Sequence, residues 1–257
     1  MPVSVAPSGM VFLSSERYPG WEALRSDLDA DSVRLMIYVN PYLVDATSKS
    51  CIQRNLYQEA LDNGYVVRAA DGGPFLLRIT DFSAALVDFT NPDAVAWYSA
   101  ALEEQIRLTG ASGWMADFGE GLPVDAVLFD GSSGDDAHNR YAERWAEFNA
   151  ALIERLDGEG YVYFMRSGYR GSPANSTLFW LGDQMVTWDE QDGIKTAVMG
   201  LLTGGISGFA LNHSDIGGYT TITNPLGSYH RSRELLFRWM ELNAFSVVFR
   251  THEGKQP

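Results

Sequence analysis

Two short stretches carry the residues with the clearest chemistry. Gly113-Trp114-Met115-Ala116-Asp117-Phe118-Gly119-Glu120 ends an apolar, strand-like run in a carboxylate, and Trp180-Leu181-Gly182-Asp183 does the same. Two carboxylates delivered by two different strands are what cleavage of a glycosidic bond needs. One attacks or stabilises the anomeric carbon, and the other protonates the leaving oxygen. A lone acidic residue at a strand end commonly does no more than cap a turn. Here Asn40, Arg166, Asn212, His213, Asp215 and His252 also fall at or just beyond strand-like runs. If those runs lie parallel in one sheet, all these groups gather on one face.

The elements that must position them alternate between strand-like and helix-like patterns, the signature of a parallel α/β fold. Strands are predicted over Arg34–Asn40, Ala84–Thr90, Gly113–Phe118, Tyr161–Ser167, Leu178–Asp183, Ile206–Asn212 and Phe245–Arg250. Asn91 and Pro92 open a helix as cap and first residue, with Val95, Tyr98, Leu102 and Ile106 on one face and Gly110 as its stop. After the polar loop Asp130–Asp136 a second helix is predicted from about Asn139 to Leu156, ended by Gly158 and Gly160. Tyr141, Trp145, Phe148, Leu152 and Leu156 form its apolar stripe. Gly193–Thr203 and Arg231–Ala244 read as further helices.

A (β/α)8 TIM barrel collects its chemistry at the C-terminal ends of its strands, which is where these polar residues fall. A doubly wound open sheet would do so too, but no Gly-rich phosphate loop follows any strand here. About six principal barrel strands are legible against the eight of a closed barrel. The expectation is therefore a single catalytic domain over residues 1–257, a partial barrel with about strands three to eight. Such a piece exposes strand edges and apolar faces, so an oligomer or a partner covering them is expected.

Composition narrows the partners. The 257 residues carry a formal net charge of −14, which repels phosphate and argues against nucleic acid and anionic membrane surfaces. No apolar run reaches the roughly 18 residues of a membrane span. The start, Met1-Pro2-Val3-Ser4-Val5-Ala6-Pro7, does not read as a signal peptide, and the single cysteine, Cys51, rules out an internal disulfide framework. A cytoplasmic location is the expectation. His213 and Asp215 are near neighbours, but two residues are a weak metal set, so no metal and no organic cofactor is expected.

Taken in order, the motifs resemble glycoside hydrolase family 31, the α-glucosidase and α-xylosidase family. They are Tyr38-Val39-Asn40-Pro41, Asp88-Phe89-Thr90-Asn91-Pro92, Trp114 to Glu120, Arg166-Ser167, Trp180 to Asp183, Gly204-Gly205-Ile206-Ser207-Gly208, Ser214 to Tyr219 and Arg250-Thr251-His252. This resemblance implies a retaining α-glycosidase with Asp117 as nucleophile and Asp183 as general acid, then base. It implies that Arg166 holds sugar hydroxyls and favours an ionised nucleophile, that His252 binds the O2/O3 edge, and that Trp114 and Trp180 wall the sugar subsite. It also asks that Asp183 be kept protonated, by apolar walls or by the charge on Asp117.

Within the family, Gly182 to Asp189, Asp192-Gly193 and His213 to Tyr219 are most similar to the sulfoquinovosidase branch. That likeness implies a sulfonated sugar released from sulfoquinovosyl glycerides, with the Tyr219 hydroxyl helping to bind the sulfonate. A neutral-sugar α-glucosidase or α-xylosidase is the alternative, as is an inactive fragment. Residues 1–14 match neither the aspartate-bearing first barrel strand of the family nor the upstream Arg and Trp of its sulfonate grip. The resemblance therefore leads to the expectation of a chain that lacks the first barrel strands and the flanking β domains of the family.

Overall fold

A computed structural model describes residues 18–50, 52–79, 82–156, 160–224 and 227–252. Cys51, Gly158 and the opening residues 1–17 lie outside them. The chain packs as two compact units. The first holds the described residues up to Tyr163 together with Ser167–Asn175, and the second holds Phe164–Arg166 and the described residues from Ser176 onward.

In the first unit α1 (Trp21–Ala30) leads into β1 (Met36–Val39), β2 (Tyr42–Val44) and α2 (Leu56–Asn63). Then come β3 (Leu76–Ile79), β4 (Phe82–Leu86), α3 (Pro92–Thr109), β5 (Gly113–Ala116), α4 (Gly134–Arg155), the first half of β6 (Val162–Met165) and the single turn α5 (Ser172–Asn175). β1 and β5 run parallel with Met36 opposite Gly113 and Val39 opposite Ala116. The Val162 N–H bonds the Ser112 carbonyl at 3.2 Å on the other side. Gly113 is required there, because a Cβ would stand 2.3 Å from the Val162 carbonyl oxygen.

α3 follows the sequence closely. Asn91 accepts from the Asp93 and Ala94 N–H groups, Pro92 is the first residue, and Gly110 closes the helix in the left-handed region at φ 69°. Tyr98, Leu102 and Ile106 are buried, and Val95 is half-buried. α4 starts at Gly134, five residues before the predicted Asn139, because the Ser133 hydroxyl caps the Asp136 N–H at 3.2 Å. An N-cap and an acidic first turn look like loop in composition, which is why the start was misplaced. Its stripe packs Tyr141, Trp145 and Phe148 around Phe89, with ring centroids 5.0–5.4 Å apart.

The predicted strand Ala84–Thr90 is not a barrel strand. β4 pairs antiparallel with β2 and β3 in a separate three-stranded sheet. Asp88, just after it, receives the Thr90 N–H and hydroxyl on one oxygen and the Phe129 N–H on the other, and so holds loops together.

The second unit contains the rest of β6, β7 (Leu178–Trp180), α6 (Ile194–Ile206), β8 (Asn212–His213), the hairpin β9 (Ile222–Asn224) and β10 (Gly227–Tyr229), and α7 (Arg233–Asn243). β6, β7 and β8 are parallel, with Met165 opposite Phe179 and Trp180 opposite His213. Val186, Ile194, Ala197, Ile216, Leu235 and Trp239 form its apolar core. α7 begins after Ser232, whose hydroxyl caps Leu235, and Trp239 donates its indole N–H to Ser214 at 2.9 Å.

Two predicted strands fail here. Ile206–Asn212 reduces to Asn212–His213, because α6 continues through Gly204 and Gly205 to Ile206. Asn212 then caps that end, donating to the carbonyls of Leu201 and Phe209. Phe245–Arg250 alternates like a strand but forms no ladder among the described residues, and Phe245 is 95% exposed. Alternation of apolar residues predicts a strand only where a partner edge is in register. The described residues thus supply five parallel strands, β1, β5, β6, β7 and β8, and no closed barrel. Among them no helix is long and apolar enough to cross a membrane.

Candidate active site

Asp117 follows the last residue of β5, and its N–H extends the pairing with β1 by donating to the Val39 carbonyl at 2.9 Å. The residue is 6% exposed. One carboxylate oxygen accepts the Tyr38 hydroxyl at 2.6 Å, and the other accepts the Phe118 N–H at 2.8 Å. Side chains two apart on a strand share a face, and Tyr38 pairs in register with Met115, so the phenol reaches the carboxylate by sheet geometry alone.

The chain then turns sharply. Phe118 has φ 59°, a left-handed conformation that is costly for a residue with a Cβ, and Gly119 follows at φ 98°. The turn is held from outside. The Ser167 hydroxyl donates to the Phe118 carbonyl at 2.7 Å, and the Phe118 ring meets Tyr42 edge-on at 5.1 Å. A Cβ on Gly119 would stand 2.6 Å from both Ser167 Oγ and Trp145 Cδ1, so only glycine fits. Backbone strain beside a buried, oriented carboxylate is a common mark of a reactive group.

In the second unit Arg166, Asp183, Tyr219 and His252 come together from four places in the sequence. Arg166 follows the last residue of β6 and lies 3.5 Å from Asp183. One atom each of Asp183, Asp215 and His252 lie within 4.8 Å of one another. Fully buried Asp215 bonds the Arg250 guanidinium with one oxygen and His252 Nδ1, at 3.1 Å, with the other. The His252 and Tyr219 rings lie 4.2 Å apart. These carboxylates are met by arginine and histidine side chains, and the trio carries no metal assignment. Asp183 itself is open, with its side chain 39% exposed. The Arg166 guanidinium, 3.5 Å away, is the cation that faces it.

Trp114 and Trp180 depart from their expected role as well. Both are fully buried. Trp114 donates its N–H to Asn149 at 2.7 Å and stacks on Tyr163, so it is a core residue behind β5. Trp180 lies beneath His252, edge to ring at 5.6 Å, with the Arg250 guanidinium 5.0 Å over its face. Neither indole offers an open face to a sugar.

His213, one strand over, is fully buried against Phe164, and neither of its ring nitrogens has a hydrogen-bond partner among the described residues. Burial, helped by the Arg250 charge, pushes its pKa down to about 4, while Asp215 and the Phe179 backbone oppose the shift. It is neutral at neutral pH.

The sequence pointed to Asp117, Asp183, Arg166, Tyr219 and His252. It left unassigned three residues that hold them. Tyr38 was readable only through the β1–β5 register. Arg250 sat in a recognised motif without a partner. Arg231 lay in an unremarkable His230-Arg231-Ser232-Arg233 run.

Residues 8–257 match the family described as the glycosyl hydrolases family 31 TIM-barrel domain, and the chain belongs to that family. It is 38% identical over 95% of its length to a sulfoquinovosidase of Escherichia coli (strain K12), and 40% identical over 94% to one of Agrobacterium fabrum. Among solved structures it resembles a family 31 sulfoquinovosidase from E. rectale in complex with an aza-sugar inhibitor. There the TM-score is 0.86, at 37% identity over 96% of this chain and 36% of that one. The chain spans about a third of the length of these curated relatives, 34% and 35%.

Proposed function

We propose that this chain carries the reacting groups of a retaining α-glycosidase that releases sulfoquinovose from sulfoquinovosyl glycerides. The observation that carries the reading is the convergence of Arg166, Asp183, Tyr219 and His252 at the polar end of β6, β7 and β8. Similarity to two sulfoquinovosidases along nearly the whole chain supports the substrate.

The Asp117 carboxylate attacks the anomeric carbon as the bond to the glyceryl oxygen breaks. Protonated Asp183 gives that oxygen its proton, and the alcohol leaves. A glycosyl ester on Asp117 and a carboxylate on Asp183 remain. Asp183 then takes a proton from water, whose oxygen attacks the same carbon and frees Asp117 with net retention. Tyr38 and the Phe118 N–H keep the Asp117 carboxylate aimed. The Tyr219 hydroxyl donates to a sulfonate oxygen, where phenylalanine cannot.

Hydrolysis of 4-nitrophenyl α-sulfoquinovoside beside 4-nitrophenyl α-glucoside tests this, with Asp117→Asn as blank. Turnover of the glucoside alone would move the protein to the neutral-sugar reading. Tyr219→Phe is expected to raise KM for the sulfonated substrate by about tenfold, the value of one lost hydrogen bond to a charged group, and to leave the glucoside unchanged. An oligomer or partner covering apolar surface belongs to the same proposal. Met199, Leu202 and Ile206 of α6 and Phe245 are exposed, and light scattering on the purified chain decides it.

A further inference from the structure

One side chain ties together the two backbone segments that carry Tyr219 and His252. Arg231 lies just before α7, and its Nε–H donates to the Gly217 carbonyl at 3.2 Å. One terminal nitrogen donates to the Gly218 carbonyl at 2.7 Å and to the His252 carbonyl at 3.2 Å. Gly217 and Gly218 both have positive φ, 85° and 76°, a conformation that turns their carbonyls toward the guanidinium. A Cβ on Gly217 would stand 2.6 Å from Arg231 Cδ, so the arginine stem lies against bare backbone.

The same loop grips the segment bearing Asp183. The Tyr219 and Thr220 N–H groups donate to the Gln184 carbonyl at 2.8 and 2.9 Å, and the Thr220 hydroxyl donates to the Asp183 carbonyl at 3.0 Å. Residues 217–220 are therefore bound to the Asp183 segment by their own backbone, and to the His252 segment through Arg231. Tyr219 and His252 are half-buried, and while Asp215 holds the His252 ring at Nδ1, Arg231 holds the backbone of both segments. A guanidinium is always charged and presents five donors in a rigid plane, which lets one residue serve three carbonyls on two segments. A lysine places its donors at one point.

We propose that Arg231 is a positioning residue for substrate selection: it locks the stacked Tyr219–His252 pair into the arrangement that receives the sulfonated sugar. The inference rests on the reading of Tyr219 and His252 as substrate-facing groups.

Two measurements on the whole chain test it. With the rings 4.2 Å apart, the Tyr219 ring current is expected to displace the His252 ring protons in NMR spectra, and Tyr219→Leu supplies their position without it. Arg231→Met is expected to move the His252 signals to that reference while the Trp114 indole signal, in the first unit, stays in place. Arg231→Lys is expected to fall between. His252 signals unmoved in both variants would overturn the proposal, and if Arg231→Met does not fold, Arg231→Lys carries the same decision. In the second measurement, titration with methyl α-sulfoquinovoside and methyl α-glucoside, Arg231→Met is expected to lose about tenfold for the sulfonated sugar, Arg231→Lys a smaller factor, and each less for the glucoside. Equal losses would overturn the role in selection. Failure of the wild-type chain to bind either sugar counts against the proposed function, and the His252 signals then still decide whether the clamp exists.

Discussion

The two carboxylates are held in opposite ways. Around Asp117 the structure is closed: a buried strand end, a strained turn, a hydrogen bond from the next N–H, and one from Tyr38, which the β1–β5 register delivers. Around Asp183 it is assembled and open, with the side chain exposed and its neighbours drawn from β6, the 213–219 loop and the segment after α7. A nucleophile must sit at one fixed point, which the end of an interior strand supplies. A group that gives and takes a proton must reach solvent in one step and substrate in the other. The first site depends on strand register and on what packs against its turn; the second depends on how loops close.

The largest effect should come from breaking the first region at its centre. Asp117→Asn is expected to lower kcat by a thousandfold or more, roughly the cost of losing a covalent nucleophile, while thermal unfolding stays close to wild type. Retained turnover would remove Asp117 from the mechanism.

Acid should distinguish the two regions next. His213 has a folded pKa of about 4 against an ordinary 6.5. The unfolded chain therefore binds this proton first. Its contribution is fully present above pH 6.5 and is lost as pH falls toward 4, by about 3 kcal/mol over the window. Urea unfolding at pH 7, 5.5 and 4 measures it. His213→Phe should flatten that slope, and an unchanged slope would locate the acid sensitivity elsewhere.

A smaller effect probes how much the first region relies on one phenol. Tyr38→Phe is expected to lower kcat/KM by about tenfold through loss of one charge-assisted hydrogen bond, with no change in the sugar-selectivity ratio. A shift in that ratio would mean that Tyr38 touches substrate rather than aiming Asp117. Tyr219→Phe makes the converse test in the second region, moving the ratio and leaving the glucoside rate alone.

Much of this protein was legible one element at a time. Asn91, Pro92 and Gly110 dictate α3 because caps act over three or four residues. The carboxylates at 117 and 183 announce themselves because a polar residue ending an apolar run must lie at a strand terminus. Errors arose where a local pattern needed a distant partner. Ala84–Thr90 reads as a core strand but joins another sheet, and Phe245–Arg250 alternates without an edge to pair with. Trp114 and Trp180 look like sugar platforms, yet Asn149, Tyr163 and Arg250 draw them into the interior.

The sequence by itself determined the family and the main helices and parallel strands, and it named the residues proposed to react, since these depend on residue type and short spacing. Only the tertiary structure decided what holds them: Tyr38 on Asp117, Arg250 on Asp215, and Arg231 across three carbonyls. Hydrogen bonds between segments 13 to 79 residues apart depend on register and loop closure, and no local pattern in the chain encodes those.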